Sequence, residues 1–482
     1  MTDQDLAPKH RDIGNIPALM AALLAAIFAF QLNASMLSPA LATMREQLDT
    51  TDAQIGVTQT AFFASAALFS LFLPRWGDLV GRKKILLLAL GGTTIGCVVA
   101  ALAPNVAILG VGRVIQGIAG PIVPMALIML HVQVPDPKRY AKLMAVLTAV
   151  NGGIAGVDAL AGGWLAGNWG FRSVFWTMAV VCVIAILAVL GGALESRSEE
   201  RMPMDWVGVF FLVLVLVLAG LYFSFNEAGK LAGANWSLVG VLILVAIVAF
   251  VVFWKVEERA EHPLVSTTYM RQRRTWGLLS TTLLTMTGVF AVMNGLVPNL
   301  AQDAELGVRL GADVVSFWTL TPYAIAGLVM GPVAGQLAAK FGFIRVLQGG
   351  LVLSFVGLVV TALLTESLTP VALLVLSIII GITYAGVCNI MLNGLGVVLS
   401  PKDNQGYLPG MNSGAFNLGA GLSFAILFAI NTVVAQSSGA AAGYRAGILS
   451  GAVLMLLALA VSFLIPKPPE SADESAEEQI VA

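Results

Sequence analysis

Charge is what this chain has least of. Only 11% of its 482 residues are Asp, Glu, Lys or Arg, against about 25% in a soluble globular protein. That shortage excludes a water-soluble fold of this length. The net charge of −1 leaves no basic surface for a nucleic-acid partner. Cysteine is almost absent. Cys97, Cys182 and Cys388 lie in apolar runs, with no disulfide framework and no metal-ligand spacing. The three histidines, His10, His131 and His262, are scattered. No Gly-rich loop with its Lys is present to cradle a nucleotide, which excludes a primary pump, and no cofactor is expected. A catalytic cluster of His with carboxylates is also missing, so an enzyme is not expected. A membrane-embedded sensor without transport is the alternative of another class, although no loop is long enough for a soluble output domain.

What is there is hydrophobic, 58% of the residues. Apolar runs near 20 residues, each long enough to span a bilayer, fall at 16–40, 53–73, 85–103, 105–132, 140–168, 171–194, 205–226, 236–254, 275–300, 314–338, 342–365, 370–397, 407–435 and 443–465. The expected fold is an all-α membrane protein of about fourteen spanning helices. The first run is too long for a signal-peptide core and reads as a spanning helix. Basic residues set the orientation. Apart from Arg113, which lies inside a run, only Arg45, Arg172, Lys230, Arg309 and Arg445 fall on the side away from the termini. The positive-inside rule then places both termini in the cytoplasm, in the cell membrane.

The segments follow from these runs. A polar tail (1–15) precedes a six-helix bundle (16–194). Two inserted helices (205–254) and a basic amphipathic linker (255–274) lead to a second six-helix bundle (275–465). A Pro-rich, acidic tail (466–482) closes the chain and reads as disordered. The halves repeat. "PRWGDLVGRKK" at 74–84 and "GQLAAKFGFIR" at 335–345 each place a glycine at the same position, Gly81 and Gly342, among basic residues.

At these residues the chain resembles the major facilitator superfamily, and within it the fourteen-helix drug:proton antiporter branch. The family's first loop motif reads here as Pro74, Trp76, Asp78, Gly81, Arg82 and Lys83. Gly81 permits a tight turn, and Asp78 can pair with Arg82, a charged latch able to break and reform as two bundles rock. The Arg-x-x-Gln-Gly motif is present as Arg113, Gln116 and Gly117. The resemblance implies that Arg113 tunes a proton site or a helix contact; a structural cation held by carbonyls and Gln116 is the alternative. Two departures stand out. The antiporters' Gly-Pro-x-x-Gly-Gly is Asp158, Ala159, Leu160, Ala161, Gly162, Gly163, and Asn33 stands where the branch carries an Asp in its first helix. Gly162 and Gly163 keep the bare backbone that lets another helix approach.

Asp158 is the one acid near the middle of a span, where a charged carboxyl costs about 2.5–3.5 kcal/mol. Burial and a nearby Arg113 act on such a group in opposite senses. The expectation is that Asp158, with Arg113, couples transport to protons; a fixed Asp158–Arg113 ion pair is the rival. Other polar groups in the spans are mostly amides: Asn33, Gln59, Asn151, Asn294, Asn389, Asn393, Asn412 and Asn417. With Trp318 and Tyr323 they are candidates to line a solute cavity; interhelical hydrogen bonds, worth about 0.6 kcal/mol each, are the plainer use of any one of them. Amides both donate and accept and suit a neutral, hydroxyl-rich or heterocyclic solute. The expected function is secondary transport of a small organic solute by alternating access, proton-coupled, by a protein working as a monomer in the lipid bilayer. The branch suggests multidrug efflux. The altered motifs and the amides suggest uptake of a nucleoside or a sugar-like solute.

Overall fold

The structure, a computed structural model, describes residues 15–134, 136, 139–140, 142–144, 146–147, 156–197, 204–210, 233–260, 263–306, 308–401 and 406–467. Among the described residues twelve helices are long and apolar enough to cross a membrane. They are α1 (Ile16–Gln47), α2 (Asp52–Val80), α3 (Arg82–Ala101), α4 (Val106–Gln133), α6 (Phe171–Gly192), α7 (Trp236–Arg259), α8 (Arg273–Gln302), α9 (Ala312–Phe341), α10 (Phe343–Leu363), α11 (Pro370–Val398), α12 (Tyr407–Ser438) and α13 (Ala440–Ser462). A shorter helix, α5 (Val157–Trp169), precedes α6. No strand occurs among the described residues. Two expected spans, 140–168 and 205–226, fall partly outside the described residues, as do most of both tails.

Local chemistry sets the helix ends. Thr51 and Asn105 cap α2 and α4 by accepting from the main-chain N–H of Gln54 and Ile108. The 74–84 stretch, read as a loop, is helical to Val80, with Pro74 inside the helix. Proline is tolerated there because a bundle offers other partners for the freed carbonyl. The break is Gly81 alone, at φ +133°, and α3 begins at Arg82. Gly342, at φ +84°, separates α9 from α10 in the same way. Such backbone angles favour glycine, which has no Cβ to clash. Gly170 and Gly439 make the corresponding turns before α6 and α13.

Long crossings join residues before 194 to residues after 275. Along α2 and α12, Gly56 meets Phe428, and Thr60 Oγ1 donates to Gly421 O at 2.8 Å. Between α5 and α9, Ser316 Oγ donates to Ala159 O (3.0 Å) and Thr321 Oγ1 to Gly156 O (2.7 Å). At one end of the molecule Arg45 on α1 pairs with Asp52 on α2 at 3.3 Å, and Asn431 on α12 donates to the same carboxylate. Gln302 donates to Pro39 O nearby. This end is sealed, under a shallow depression of about 630 Å³ lined by Glu46, Gln47, Asn168, Trp169 and Gln302.

Candidate functional site

Exposure along α1 shows where a path enters. Pro17 and Ala21 are exposed, Leu24, Phe28 and Gln31 are half-buried, and Ser35 is buried. These residues follow helical spacing and share one face. On α8 the residues 259 positions later run from exposed Trp276 through half-buried Ser280, Leu283 and Phe290 to buried Asn294, with Thr287 already buried among them. The stripes meet near their buried ends, where Ser38 Oγ donates to Asn294 Oδ1 at 3.5 Å. The path therefore opens at the end holding Ile16 and Arg273 and stops beneath the sealed end.

Asp158, in the first turn of α5, lies at the blind end of this path and is 3% exposed. Its Oδ2 accepts from Ser35 Oγ. Its Oδ1 is buried without a hydrogen-bond partner. Ser35 Oγ in turn accepts from Gln31 Nε2 and lies 3.0 Å from Gln31 O. Gln31, Ser35 and Asp158 thus form one hydrogen-bonded chain from the accessible face into the protein. Sequence reasoning missed Gln31 and Ser35, although their i, i+4 spacing on an apolar helix was there to see.

Arg113 is fully buried and is not paired with Asp158; among the described residues no ion pair includes either. Arg113 Nη1 donates to Gln116 Oε1 (2.5 Å) and Asn33 O (3.3 Å), and Nη2 to Gln59 Oε1 (2.9 Å). The guanidinium stands 4.2 Å over the Phe62 ring. Neutral dipoles and a π face hold this cation in place of a carboxylate. The Asn33 side chain donates to Ala29 O and accepts from Cys97 Sγ, so it belongs to the packing behind α1.

The remaining amides divide. Asn294, in a five-residue π-helical turn of α8, donates to Phe290 O and sits on the path. Asn412 ties α12 to α8 and α11, accepting from Thr282 Oγ1 (2.6 Å) and donating to Leu392 O (3.4 Å). Asn417 is 5% exposed on α12. Asn393 is exposed and donates to Asn389. Tyr323 stacks on Tyr384, with ring centroids 6.5 Å apart. Trp318 lies with Val314, Phe317 and Leu374 in a peripheral groove, apart from the amides. Asn151 lies outside the described residues. A second aromatic group is present. Phe63, Phe290 and Phe424 pack within 5.1–6.3 Å of one another, and Phe416 joins through Phe290 at 6.2 Å.

At the open end Arg82 Nε donates to Asp78 Oδ1 at 2.7 Å across Gly81. Glu195, also unforeseen, packs on Gly81 and accepts from Lys83 N at 3.0 Å. The expected packing glycines lie in close contacts. A Cβ on Gly117 would stand 2.3 Å from Ser65 Cβ, on Gly162 2.0 Å from Met36 O, and on Gly163 2.1 Å from Ala312 O.

Comparison with known proteins adds a family. Residues 23–426 match the sequence profile described as Major Facilitator Superfamily. The Uridine/deoxyuridine transporter of Lactococcus lactis subsp. cremoris (strain MG1363) is 57% identical over 472 residues, 97% of this chain and 98% of that protein. The Multidrug resistance protein Stp of Mycobacterium tuberculosis (strain CDC 1551 / Oshkosh) is 22% identical over 406 residues, 83% of this chain and 73% of that one. Among solved structures, the nucleoside transporter NupG superposes with a TM-score of 0.63 at 13% identity, covering 93% of this chain and 100% of that one. At that identity the likeness speaks for the fold alone.

Proposed function

Because this chain belongs to the Major Facilitator Superfamily and is a transporter of a small solute, we propose that it takes up a pyrimidine nucleoside across the cell membrane, driven by protons. The observation that carries this reading is the 57% identity, over nearly the whole length, to a uridine/deoxyuridine transporter. The chemistry of the path supports it. Gln31 and Asn294 offer donors and acceptors suited to a base edge and ribose hydroxyls. The neighbouring phenylalanines offer apolar faces for a flat ring. Drug efflux is not supported, since identity over the aligned residues is 57% with the uridine/deoxyuridine transporter and only 22% with the multidrug resistance relative.

The proposal includes fourteen spans, with residues 16–194 and 275–465 as two bundles that rock about the path, 205–254 as two inserted helices, and both termini in the cytoplasm. Asp158 is the proton-coupling carboxyl, Arg113 its supporting cation on α4, and Asp78, Gly81, Arg82 and Lys83 the latch.

Radiolabelled uridine flux in proteoliposomes tests it. The purified protein should accumulate uridine when the outside is made acidic, and collapsing the gradient should stop accumulation. Asp158→Asn should lose gradient-driven accumulation while retaining uridine exchange. Accumulation by Asp158→Asn would sink the coupling assignment; no flux of any pyrimidine nucleoside by the unaltered protein would sink the solute assignment.

A further inference from the structure

Ser35 Oγ has three partners: Asp158 Oδ2, Gln31 Nε2 and Gln31 O, the last two each at 3.0 Å. A hydroxyl carries one proton and two lone pairs. Its one proton therefore faces two competing acceptors, Asp158 Oδ2 and Gln31 O, while a lone pair accepts from Gln31 Nε2, and the charge on the carboxyl decides the competition.

With Asp158 ionised, the carboxylate can only accept and takes the Ser35 proton. A lone pair of Ser35 then accepts from Gln31 Nε2. The chain from the Gln31 amide through the Ser35 hydroxyl to the carboxylate runs in one direction and is charge-assisted. Such bonds are roughly twice as strong as neutral ones and polarise their neighbours. The Gln31 amide is tied back against its own helix. With Asp158 protonated at the unpartnered Oδ1, the charge is gone. The Ser35 proton can turn to Gln31 O, a common bond for a helical serine. The hold on Gln31 Nε2 weakens, and that donor becomes available on the accessible face.

We propose that Ser35 is a positioning residue that relays the protonation state of Asp158 to the Gln31 carboxamide, so that the carboxamide is released to the solute only when the carboxyl carries a proton. This rests on the reading of Asp158 as the coupling carboxyl. It explains how proton and solute are bound together with no direct contact between them. Among the described residues no other charged group contacts the carboxyl, and Arg113 on α4 is held by Asn33 O, Gln59 and Gln116. The elements packed against α5 carry Arg45 and Glu46 on α1, Arg172 on α6, and Asp313 and Lys340 on α9. Among the described residues none of these pairs or hydrogen-bonds with Asp158. Asp313 lies against Gly167, at the other end of α5.

Equilibrium binding of uridine to the purified full-length protein, at about pH 5 and about pH 8, tests the relay. The unaltered protein should bind about tenfold more tightly at the lower pH, the order expected from losing one charge-assisted bond. Ser35→Ala should bind at both pH values with the affinity that the unaltered protein shows at the lower one. Ser35→Thr, which keeps the hydroxyl, should restore the pH dependence. A Ser35→Ala protein that keeps the full pH dependence overturns the relay and leaves Asp158 coupling intact. An unaltered protein whose uridine affinity is the same at both pH values overturns both. Weak binding by Ser35→Ala at both pH values, unrescued by Thr, overturns the relay in favour of a packing role.

Discussion

Gly163→Ala adds one methyl group at the point where α5 meets α9. The new Cβ would stand 2.1 Å from Ala312 O, and ordinary contact begins at 3.4 Å, so α5 and α9 must part by about 1.3 Å. Main-chain oxygen cannot rotate away as a side chain would. Overpacking of this kind costs about 1–3 kcal/mol. The strain exists only while the sealed end is shut, because α5 and α9 belong to opposite halves of the proposed rocking motion. The equilibrium should therefore shift toward the form open at that end by about 5- to 150-fold. Spin labels on cysteines placed at Glu46 and Glu305, both exposed and near the sealed end, report the separation. Gly163→Ala should move the distance distribution toward longer values. Gly162→Ala is the control, since its Cβ would strike Met36 O within the first half; it should lower thermal stability without moving the distribution. An unchanged distribution in Gly163→Ala would refute the reasoning.

Two further outcomes follow from named contacts. Gln59→Leu removes the acceptor for Arg113 Nη2 in a fully buried setting, a loss of about 1–3 kcal/mol; the apparent Tm in detergent should fall, and an unaltered Tm would show that another group takes over. Asp52→Asn takes the charge from the contact shared by Arg45 and Asn431, worth about 1 kcal/mol, and should raise the population open at the sealed end about fivefold, read by the same labels; no change there would mean that the other contacts between α2 and α12, the Thr60–Gly421 bond among them, keep that end shut.

Much of the architecture was legible because it follows from composition. Few charges and long apolar runs leave only spanning helices, and ten of the twelve long helices coincide with expected runs to within five residues at each end. The exceptions are α1, which continues to Gln47 because a 3-10 turn at Ser38–Ala40 carries it on into Leu41–Gln47, and α2, which continues through Pro74 to Val80. The Arg113–Gln116 contact was also legible, since three residues on a helix are neighbours. The partners from other helices, Gln59 and Asn33 O, were not, because rotation about each helix axis is fixed by packing that no single segment contains. The choice of Asn33 over Gln31 and Ser35 shows the difficulty. Two residues on an α-helix differ by roughly 200° in direction. A motif alignment centred on position 33 thus points to the packed side, while 31 and 35 share the accessible face. Glu195 escaped notice because its partner, Gly81, lies more than a hundred residues away, and an acid at the end of an apolar run looks like an ordinary surface charge.

The single-glycine turns bear on how motion can be distributed. At Gly81, Gly170, Gly342 and Gly439 one residue separates two helices, so each pair has no slack in its connection and must travel as one stiff lever. Compliance then has to reside within helices, where the hydrogen-bond ladder is already irregular. The π-helical stretches at Val292–Leu296 and Gly381–Cys388 are such places, since a wider turn can tighten or loosen without unfolding. Both belong to the second half of the chain. The first half is irregular instead at tighter 3-10 turns, Ser38–Ala40 and Gly117–Ala119, so each half carries points that can bend as the molecule opens and closes around the solute.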